Sequence, residues 1–187
     1  MSELLSLIKK NRSFRRFTQT EKPKESDLLD MIEGARLSAS AGNLQRLRFT
    51  PVTEDALCDK VFDTLAFAAY LGGWRPENDE KPTAYIVIWT KSEPDTNLAI
   101  DAGIAAQSIL LLAREKGFGG CMFRSIKKPE LLSALDKADY VPALVIALGM
   151  PSETVEITNA ENGEIKYYRD ASGTHFVPKK SLEELII

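Results

Sequence analysis

The chain has 187 residues, of which 44% are hydrophobic, so it can form one globular domain with a substantial core. A formal charge of -3 and a pI near 5.4 leave no overall basic field, which argues against nucleic acid and anionic membrane as principal partners. Two widely separated cysteines and an N-terminus without the apolar core of a signal peptide indicate a reduced, cytoplasmic compartment.

Helical patterns dominate the first half of the chain. Ser2 is the expected N-cap of a short amphipathic helix, and Ser26 or Asp27 is the expected N-cap of a second. A third helix is predicted over residues 55–69, and the Gly- and Pro-rich residues 72–76 follow it.

Buried strands are predicted in the second half. Continuous apolar and β-branched runs at residues 84–89 and 143–148 favour strands covered on both faces. A glycine-rich helix-to-strand turn at residues 117–120 leads into a short strand, residues 121–123. Pro129 is expected at the first position of the next helix.

The most apolar segment, residues 98–113, is predicted to be a central buried helix. Asp101 and Gln107 interrupt an apolar run that is shorter than the roughly 20 residues needed to span a membrane. Because the segment is apolar on nearly every side, we expect it to be covered all round, in part by a second subunit.

A small hairpin is predicted near the C-terminus, where Asn162-Gly163 separates residues 154–157 from residues 164–167. The sequence contains no repeat, low-complexity tract or linker. It therefore predicts a single α+β domain over residues 1–187.

Several catalytic chemistries lack their residues or motifs. His175 is the only histidine, so imidazole metal clusters and histidine relays are disfavoured, and we expect it to be a surface residue of a polar tail. Nucleophile-elbow, phosphate-loop and dinucleotide fingerprints are missing from the sequence. Cys121 lies in an apolar strand and is interpreted as a packing residue.

Residues 37–49 have the composition of a ligand-binding loop. Ser40, Asn43 and Gln45 supply hydroxyl and carboxamide groups in a segment with no hydrophobic period. Such groups donate and accept hydrogen bonds and suit a flat heteroaromatic ring better than a metal. A structural loop or a capping role for Ser40 is the alternative.

Local basic charge in this acidic chain points to a phosphate. Arg12, Ser13, Arg15 and Arg16 follow the first helix, and guanidinium forks with a hydroxyl can neutralise and orient a phosphate monoester. The Lys179-Lys180 pair can close the same site from the other side. For each segment, a solvated basic surface is the alternative.

Taken in order, these segments resemble the flavin-dependent nitroreductase family over nearly the whole chain. The resemblance rests on the opening basic motif, the Ser-Asn-Gln loop, a long match to the central helix and the strand after it, and basic residues near the end. The matching positions are Arg12, Ser13 and Arg15; Ser40, Asn43, Gln45 and Phe49; residues 101–121; and Lys179-Lys180.

The resemblance implies a mainly antiparallel central sheet flanked by helices, in an intertwined homodimer with FMN at the subunit interface. It implies ping-pong hydride transfer from NAD(P)H through FMN to an electron-poor acceptor of the nitroaromatic, quinone or enone type, with no acid–base residue of the protein and no metal. By position, Arg12, Ser13, Arg15, Lys179 and Lys180 would hold the phosphate, Ser40, Asn43 and Gln45 would approach the flavin, and Arg124 and Ser125 would bring backbone N–H groups to its reactive edge.

The chain departs from the family pattern at three places. Asn11 replaces a further basic residue, Ala39 replaces Pro, and Arg46-Leu47 replaces Pro-Trp, which puts phosphate affinity and the substrate pocket in doubt. Any lid over the flavin, placed at residues 71–81, should be small. Two other functions stay open: an FMN-binding sensor or storage protein without NAD(P)H turnover, and a cofactor-free dimerisation scaffold.

Overall fold

The computed structural model describes residues 1–67 and 69–187, which form five α-helices and eight β-strands. The helices are α1 (Glu3–Lys10), α2 (Glu25–Leu37), α3 (Asp55–Asp63), α4 (Thr96–Glu115) and α5 (Lys128–Leu135). The strands are β1 (Phe17–Thr18), β2 (Arg48–Val52), β3 (Ala84–Thr90), β4 (Gly119–Phe123), β5 (Val141–Pro151), β6 (Val155–Asn159), β7 (Tyr168–Arg169) and β8 (His175–Lys179).

The main sheet has five strands, and every pairing in it is antiparallel. Strand β5 pairs with β1, β3 and β4, and β2 lies on the far side of β3. The sequence patterns did not predict β2, which contains Pro51. A proline is tolerated there because β2 is an edge strand and lacks a neighbour on one side. The predicted α+β class with a mainly antiparallel sheet is confirmed.

Helices cover both faces of this sheet, as strand β3 shows. All seven of its residues are buried, and they alternate between two clusters. Tyr85, Val87 and Trp89 pack with α3 and α5, whereas Ile86 and Ile88 pack with α2 and α4. Both predicted buried strands are confirmed.

Cys121 belongs to the α3 and α5 side of the core. Burial raises the pKa of its thiol to about 12. A thiol with so high a pKa is not a nucleophile at neutral pH, so the structure supports the packing role that the sequence indicated.

Of three predicted helix starts, one is confirmed and two are wrong. Ser2 caps α1 as expected, with its hydroxyl accepting from Leu5 N at 3.2 Å. The predicted cap of α2 is wrong, because α2 begins after Lys24 and Asp27 instead accepts the Lys24 N–H from the first turn. Pro129 occupies the second position of α5, one residue later than expected.

Helix α3 ends at Asp63, so its predicted extension over residues 64–69 is wrong. The Thr64 hydroxyl donates to Val61 O at 2.7 Å, and Lys127 N donates to Thr64 O at 2.8 Å. Leu65 then forms a bridge with Ile126, which draws the chain away from the helix axis. Of the predicted extension, Ala68 lies outside the described residues.

Helix α4 is 20 residues long, so the length argument against a membrane span was wrong: by length and composition the helix is able to cross one. Its packing identifies a core helix. Eight residues are buried, including Ala106 and Ile109 beneath the sheet. Ile100 and Ile104 are exposed on the opposite side, so within one chain the helix is covered on one face only.

The C-terminal strands form a second sheet in the order β6-β8-β7, so the predicted hairpin is wrong. Asn162 and Gly163 do form a tight turn with φ values of 52° and 75°, but beside it only Glu161 and Glu164 pair. The segment after the turn is exposed, with Ile165 at 56%, and offers little apolar surface to bury. Strand β6 pairs in parallel with β8 instead.

Candidate functional site

The basic segment after α1 is held against the edge of β4. Phe14 N donates to Gly120 O at 3.1 Å, and Ser13 bridges to Gly120. The Phe14 side chain is buried against Gly119, where a Cβ atom would lie 2.5 Å from the ring. Glycine is therefore required at position 119 for this close approach. Both glycines lie within β4, so the strand begins earlier than the predicted turn allowed.

A buried carboxylate fixes the other side of the segment. Glu153, with a side chain 2% exposed, accepts the backbone N–H groups of Arg15 and Arg16 and the Arg169 Nη2 group, the last at 2.8 Å. It thereby joins the basic segment to β7. Its charge is matched by a guanidinium and two backbone dipoles, as a buried carboxylate requires.

A cavity of about 340 Å³, here called the phosphate cavity, lies between this segment and β8. Its lining includes Arg12, Ser13, Arg15 and Lys179, which come from opposite ends of the chain. Lys180 follows β8, is exposed and does not line it. The structure therefore brings together four of the five residues predicted to hold a phosphate.

Donor groups of these residues remain unpaired within the described part of the chain. Arg12 Nη2 donates to Ile8 O at 2.7 Å, but its buried Nε has no partner there. Burial lowers the pKa of Arg12, although the guanidinium stays charged near neutral pH. The Arg15 guanidinium lies 5.1 Å from the centre of the Tyr167 ring. Arg16 turns away, and its Nε lies 3.2 Å from Glu80 Oε2.

His175 lies in the wall of the phosphate cavity, and the expectation that it is a surface residue is wrong. His175 is only 1% exposed, and it lies on β8, the central strand of the second sheet. Its ring is 5.2 Å from that of Tyr167, and neither ring nitrogen has a partner in residues 1–67 or 69–187. Burial, followed by the nearby charge of Arg15, lowers the pKa of His175 to about 4.

The predicted flavin-binding loop lines a different cavity. Ser40 and Gln45 face a groove of about 500 Å³ between α2, β2 and α4, here called the loop groove. Asn43 is exposed beside it, and Asn43 and Gln45 both have left-handed backbone with φ near 50° (53° and 49°). Asn tolerates this conformation better than most other residues, which suits it to position 43.

One buried carboxylate tethers this loop to α4. Asp101, 2% exposed, accepts the Ala41 N–H through Oδ1 at 2.9 Å, while its Oδ2 has no partner in the described residues.

Arg46 and Leu47, which depart from the Pro-Trp of the family pattern, lie at the end of the loop. Arg46 Nη1 lies 3.0 Å from Asp95 Oδ2, and Leu47 lines the groove.

Asp95 also caps α4 by accepting Leu98 N at 2.8 Å. The Leu98 N–H and then the Arg46 side chain lower the pKa of this carboxyl group. The charge that Arg46 adds beside the loop is therefore paired within the chain.

Arg124 and Ser125 lie elsewhere again. Both are exposed after β4, and neither lines the phosphate cavity or the loop groove. The Ser125 carbonyl accepts Ala66 N at 3.2 Å, which fixes this short segment. Within one chain the structure does not join these residues, the loop groove and the phosphate cavity into one site.

Sequence reasoning missed four residues that shape the two cavities: Glu153, Tyr167 and His175 at the first, and Asp101 at the second. The spacing of His175, Val177 and Lys179 did give a signal, because alternate residues of a strand lie on one face. It indicated that His175 shares a face with Lys179. Glu153 and Asp101 gave no such signal, because their partners are backbone N–H groups that only the fold brings near.

The geometry defines an α+β protein with a cationic cavity at the edge of a mainly antiparallel sheet. A statistical model of the nitroreductase family matches residues 8–150, and this chain belongs to that family. The resemblance inferred from the sequence motifs is confirmed.

Similar proteins extend the match over most of the chain. A protein of Archaeoglobus fulgidus, provisionally named NADH dehydrogenase/NAD(P)H nitroreductase, is 25% identical over 173 residues, which cover 87% of this chain and 93% of that protein. A provisionally named nitroreductase from Desulfovibrio desulfuricans, solved in complex with FMN, is 22% identical with a TM-score of 0.71 over 100% of this chain and 96% of its own. An FMN-dependent nitroreductase from Clostridium difficile is 23% identical with a TM-score of 0.66, over 84% and 91% of the two chains.

Proposed function

We propose that this chain is an FMN-dependent oxidoreductase that transfers a hydride from NAD(P)H, through FMN, to an electron-poor acceptor such as a nitroaromatic, quinone or enone, in a ping-pong sequence. Membership of the nitroreductase family and the names of its relatives support an NAD(P)H-dependent oxidoreductase with FMN as cofactor. The phosphate cavity, with Arg12, Ser13, Arg15 and Lys179, is the observation that carries the proposal.

The residues of the cavity fit the phosphate of FMN. A phosphate monoester carries about two negative charges at neutral pH, so it needs more than one cation when partly buried. Arg12 offers a buried Nε without a partner in the described chain, and the Ser13 hydroxyl and the exposed Lys179 ammonium lie at the same cavity. Lys180, one residue further, is exposed and does not line the cavity.

Bound FMN would supply the hydride-accepting and hydride-donating chemistry, and the protein would bind and orient it. Ser40, Asn43 and Gln45 would approach the flavin ring from the loop groove. The backbone N–H groups of Arg124 and Ser125 would stabilise negative charge at the reactive edge of the ring.

The separation of these groups in one chain supports a homodimer as part of the proposal. The uncovered face of α4 presents Ile100, Gly103 and Ile104, and α1 buries none of its residues, leaving Leu4 and Leu5 exposed. An apolar surface of this kind marks an interaction site. A second copy packed on it would cover α4 and bring its loop groove toward the phosphate cavity of the first chain.

Cofactor binding is the first test. The absorbance spectrum of purified protein, recorded after FMN is added and unbound FMN is removed, should show flavin bands near one per chain. Arg12→Ala/Arg15→Ala should weaken FMN binding roughly 100-fold, because two charge-assisted hydrogen bonds are lost. Lys60→Ala removes an exposed cation of α3 and should have no effect. A colourless wild-type protein would contradict the proposal.

Turnover is the second test. NADH or NADPH, added without oxygen, should bleach the flavin bands within the mixing time, and a nitroaromatic or quinone should restore them. Bound FMN that neither nicotinamide reduces would instead identify the chain as a sensor or storage protein.

A further inference from the structure

Strand β8 forms one wall of the phosphate cavity and gives it two different ends. His175, Val177 and Lys179 all line the cavity, because alternate residues of a strand share a face. Four residues of strand span about 13 Å, so His175 and Lys179 lie at opposite ends of this wall. The Lys179 end is exposed and cationic, whereas the His175 end is buried.

The polar groups of the His175 ring remain unsatisfied in the described chain. The backbone of His175 is fixed by its N–H bond to Thr154 O at 2.9 Å, and the ring is held against Tyr167. Both ring nitrogens are buried without a hydrogen-bond partner in the described residues, and leaving such groups unpaired is unfavourable. A bound molecule in the cavity would satisfy them.

The surroundings of the ring indicate which chemistry that molecule presents there. Arg15 and Arg169 lie close to the imidazole and, with burial, oppose its protonation, while Glu153 has the opposite effect. An uncharged imidazole has one N–H donor and one acceptor nitrogen. A hydroxyl group can accept from the N–H donor or donate to the acceptor nitrogen, so hydroxyl groups match this ring. A phosphate dianion instead matches the exposed Lys179 ammonium at the other end.

We propose that His175 is a binding residue for the riboflavin part of FMN, with its imidazole contacting a ribityl hydroxyl, while the phosphate binds toward Lys179. The inference rests on the proposed function. It adds His175 of β8, which was not among the predicted site residues.

Because His175 is the only histidine, a protein without an affinity tag and labelled with [13Cε1]-histidine gives one NMR resonance with no assignment problem. FMN and riboflavin, each added to the cofactor-free protein, should shift this resonance by similar amounts, and inorganic phosphate should leave it in place. Bound FMN without a shift, or a shift with inorganic phosphate as large as that with FMN, would overturn the proposal.

Affinity measurements separate the two ends of the cavity. His175→Gln should weaken the binding of FMN and of riboflavin by the same factor, about fivefold, as expected for one lost hydrogen bond. Lys179→Ala should weaken FMN binding and leave riboflavin binding unchanged. Phe176→Leu, on the opposite face of β8, is the matched control and should leave both unchanged.

The outcomes also separate this inference from the proposed function. If His175→Gln binds both flavins as tightly as the wild type, the inference is wrong and FMN binding stands. If the wild-type protein binds neither flavin, both are wrong. Should His175→Gln fail to fold, judged by circular dichroism, the NMR comparison on the wild-type protein still decides.

Discussion

The phosphate cavity and the loop groove are built in opposite ways. The first gathers residues from both ends of the chain, and the buried Glu153 holds them in place through three hydrogen bonds. The second is lined by α2, β2, α4 and the polar loop between α2 and β2, with Asn43 and Gln45 exposed. This loop is tethered to α4 through the Asp101–Ala41 and Ser38–Ser108 hydrogen bonds and the Arg46–Asp95 ion pair. One chain thus prepares its anion site internally and leaves the polar loop open to a second surface.

This difference explains why the two sets of residues are separate in one chain. A preorganised anion site loses little entropy when a phosphate binds, because its backbone is already fixed. Exposed amides in left-handed backbone gain their partners only when another surface arrives. Under the proposed function, we therefore expect phosphate affinity to reside in the single chain and flavin-ring contacts to require the proposed dimer, and the variants below test that expectation.

Disrupting the dimer should have the largest effect. Ile104→Glu places a carboxylate on the apolar face of α4, and burying it at an interface would be strongly unfavourable. We expect the dimer dissociation constant, measured by analytical ultracentrifugation, to rise more than about 100-fold. FMN binding should weaken with it, while inorganic phosphate binding should persist.

Ile104→Leu retains the apolar surface and is the matched control for this variant. If Ile104→Glu remained dimeric, the α4 interface would be wrong. If it became monomeric and bound FMN as tightly as the wild type, the loop groove would have no part in the site.

Removing the anchor of the phosphate cavity should destabilise the fold itself. Glu153→Ala leaves the guanidinium of Arg169, 12% exposed, and two backbone N–H groups without their acceptor. Breaking a buried pair in this way costs about 3–5 kcal/mol of unfolding free energy, measurable by urea titration. Asp63→Ala breaks the exposed pair with Arg75 and should have a far smaller effect. Equal losses would show that the cavity is not held by this carboxylate.

The pH dependence of stability should distinguish the buried end of the phosphate cavity from the exposed loop. Burial holds the pKa of His175 at about 4, below its ordinary 6.5, in surroundings that include Arg15, Arg169, Glu153 and Tyr167. Between these pH values the unfolded chain takes up a proton that the folded chain does not. Stability should therefore fall, as pH decreases from 6.5 to 4, by up to about 1.4 kcal/mol per pH unit.

The contribution of His175 is isolated by comparison with His175→Gln, which lacks this titration. The difference in unfolding free energy between the two proteins should change across that pH range and be constant above it. A constant difference throughout would mean that the imidazole has the same pKa in the folded and the unfolded chain.

The sequence predicted the parts of the fold that depend on local patterns. The continuous apolar runs of β3 and β5, the cap at Ser2 and the helical period of α4 each reflect forces within a few residues. The pairing of β6 with β8 could not be predicted in this way, because Asn162-Gly163 is a strong local hairpin signal that a distant strand overrides.

The candidate site likewise contains residues that the sequence identified and residues whose positions depend on distant parts of the chain. Charge patterns and the family resemblance identified Arg12, Ser13, Arg15 and Lys179, which the fold brings to one cavity. The burial of His175 was not predictable from its polar neighbours in sequence, since it depends on residues that only the fold brings to the ring, such as Tyr167 and Arg15. The binding roles of Arg12, Ser13, Arg15 and Lys179 stay predictions, as do those of Ser40, Asn43, Gln45, Arg124, Ser125 and Lys180.

Weakening the attachment of the loop to α4 should have the smallest effect, because Asp101 supplies only one of the hydrogen bonds that hold the loop. Asp101→Ala removes the acceptor of the Ala41 N–H and should lower the unfolding free energy by about 1–2 kcal/mol, well below the loss for Glu153→Ala. Asp101→Asn keeps an oxygen acceptor and should lose less. Hydrogen exchange at Ala41 should accelerate in Asp101→Ala, while exchange at Phe14, beside the phosphate cavity, should stay as in the wild type. Faster exchange at both amides would mean that the two regions are one cooperative unit, and the separation between a rigid anion site and an open loop would not hold.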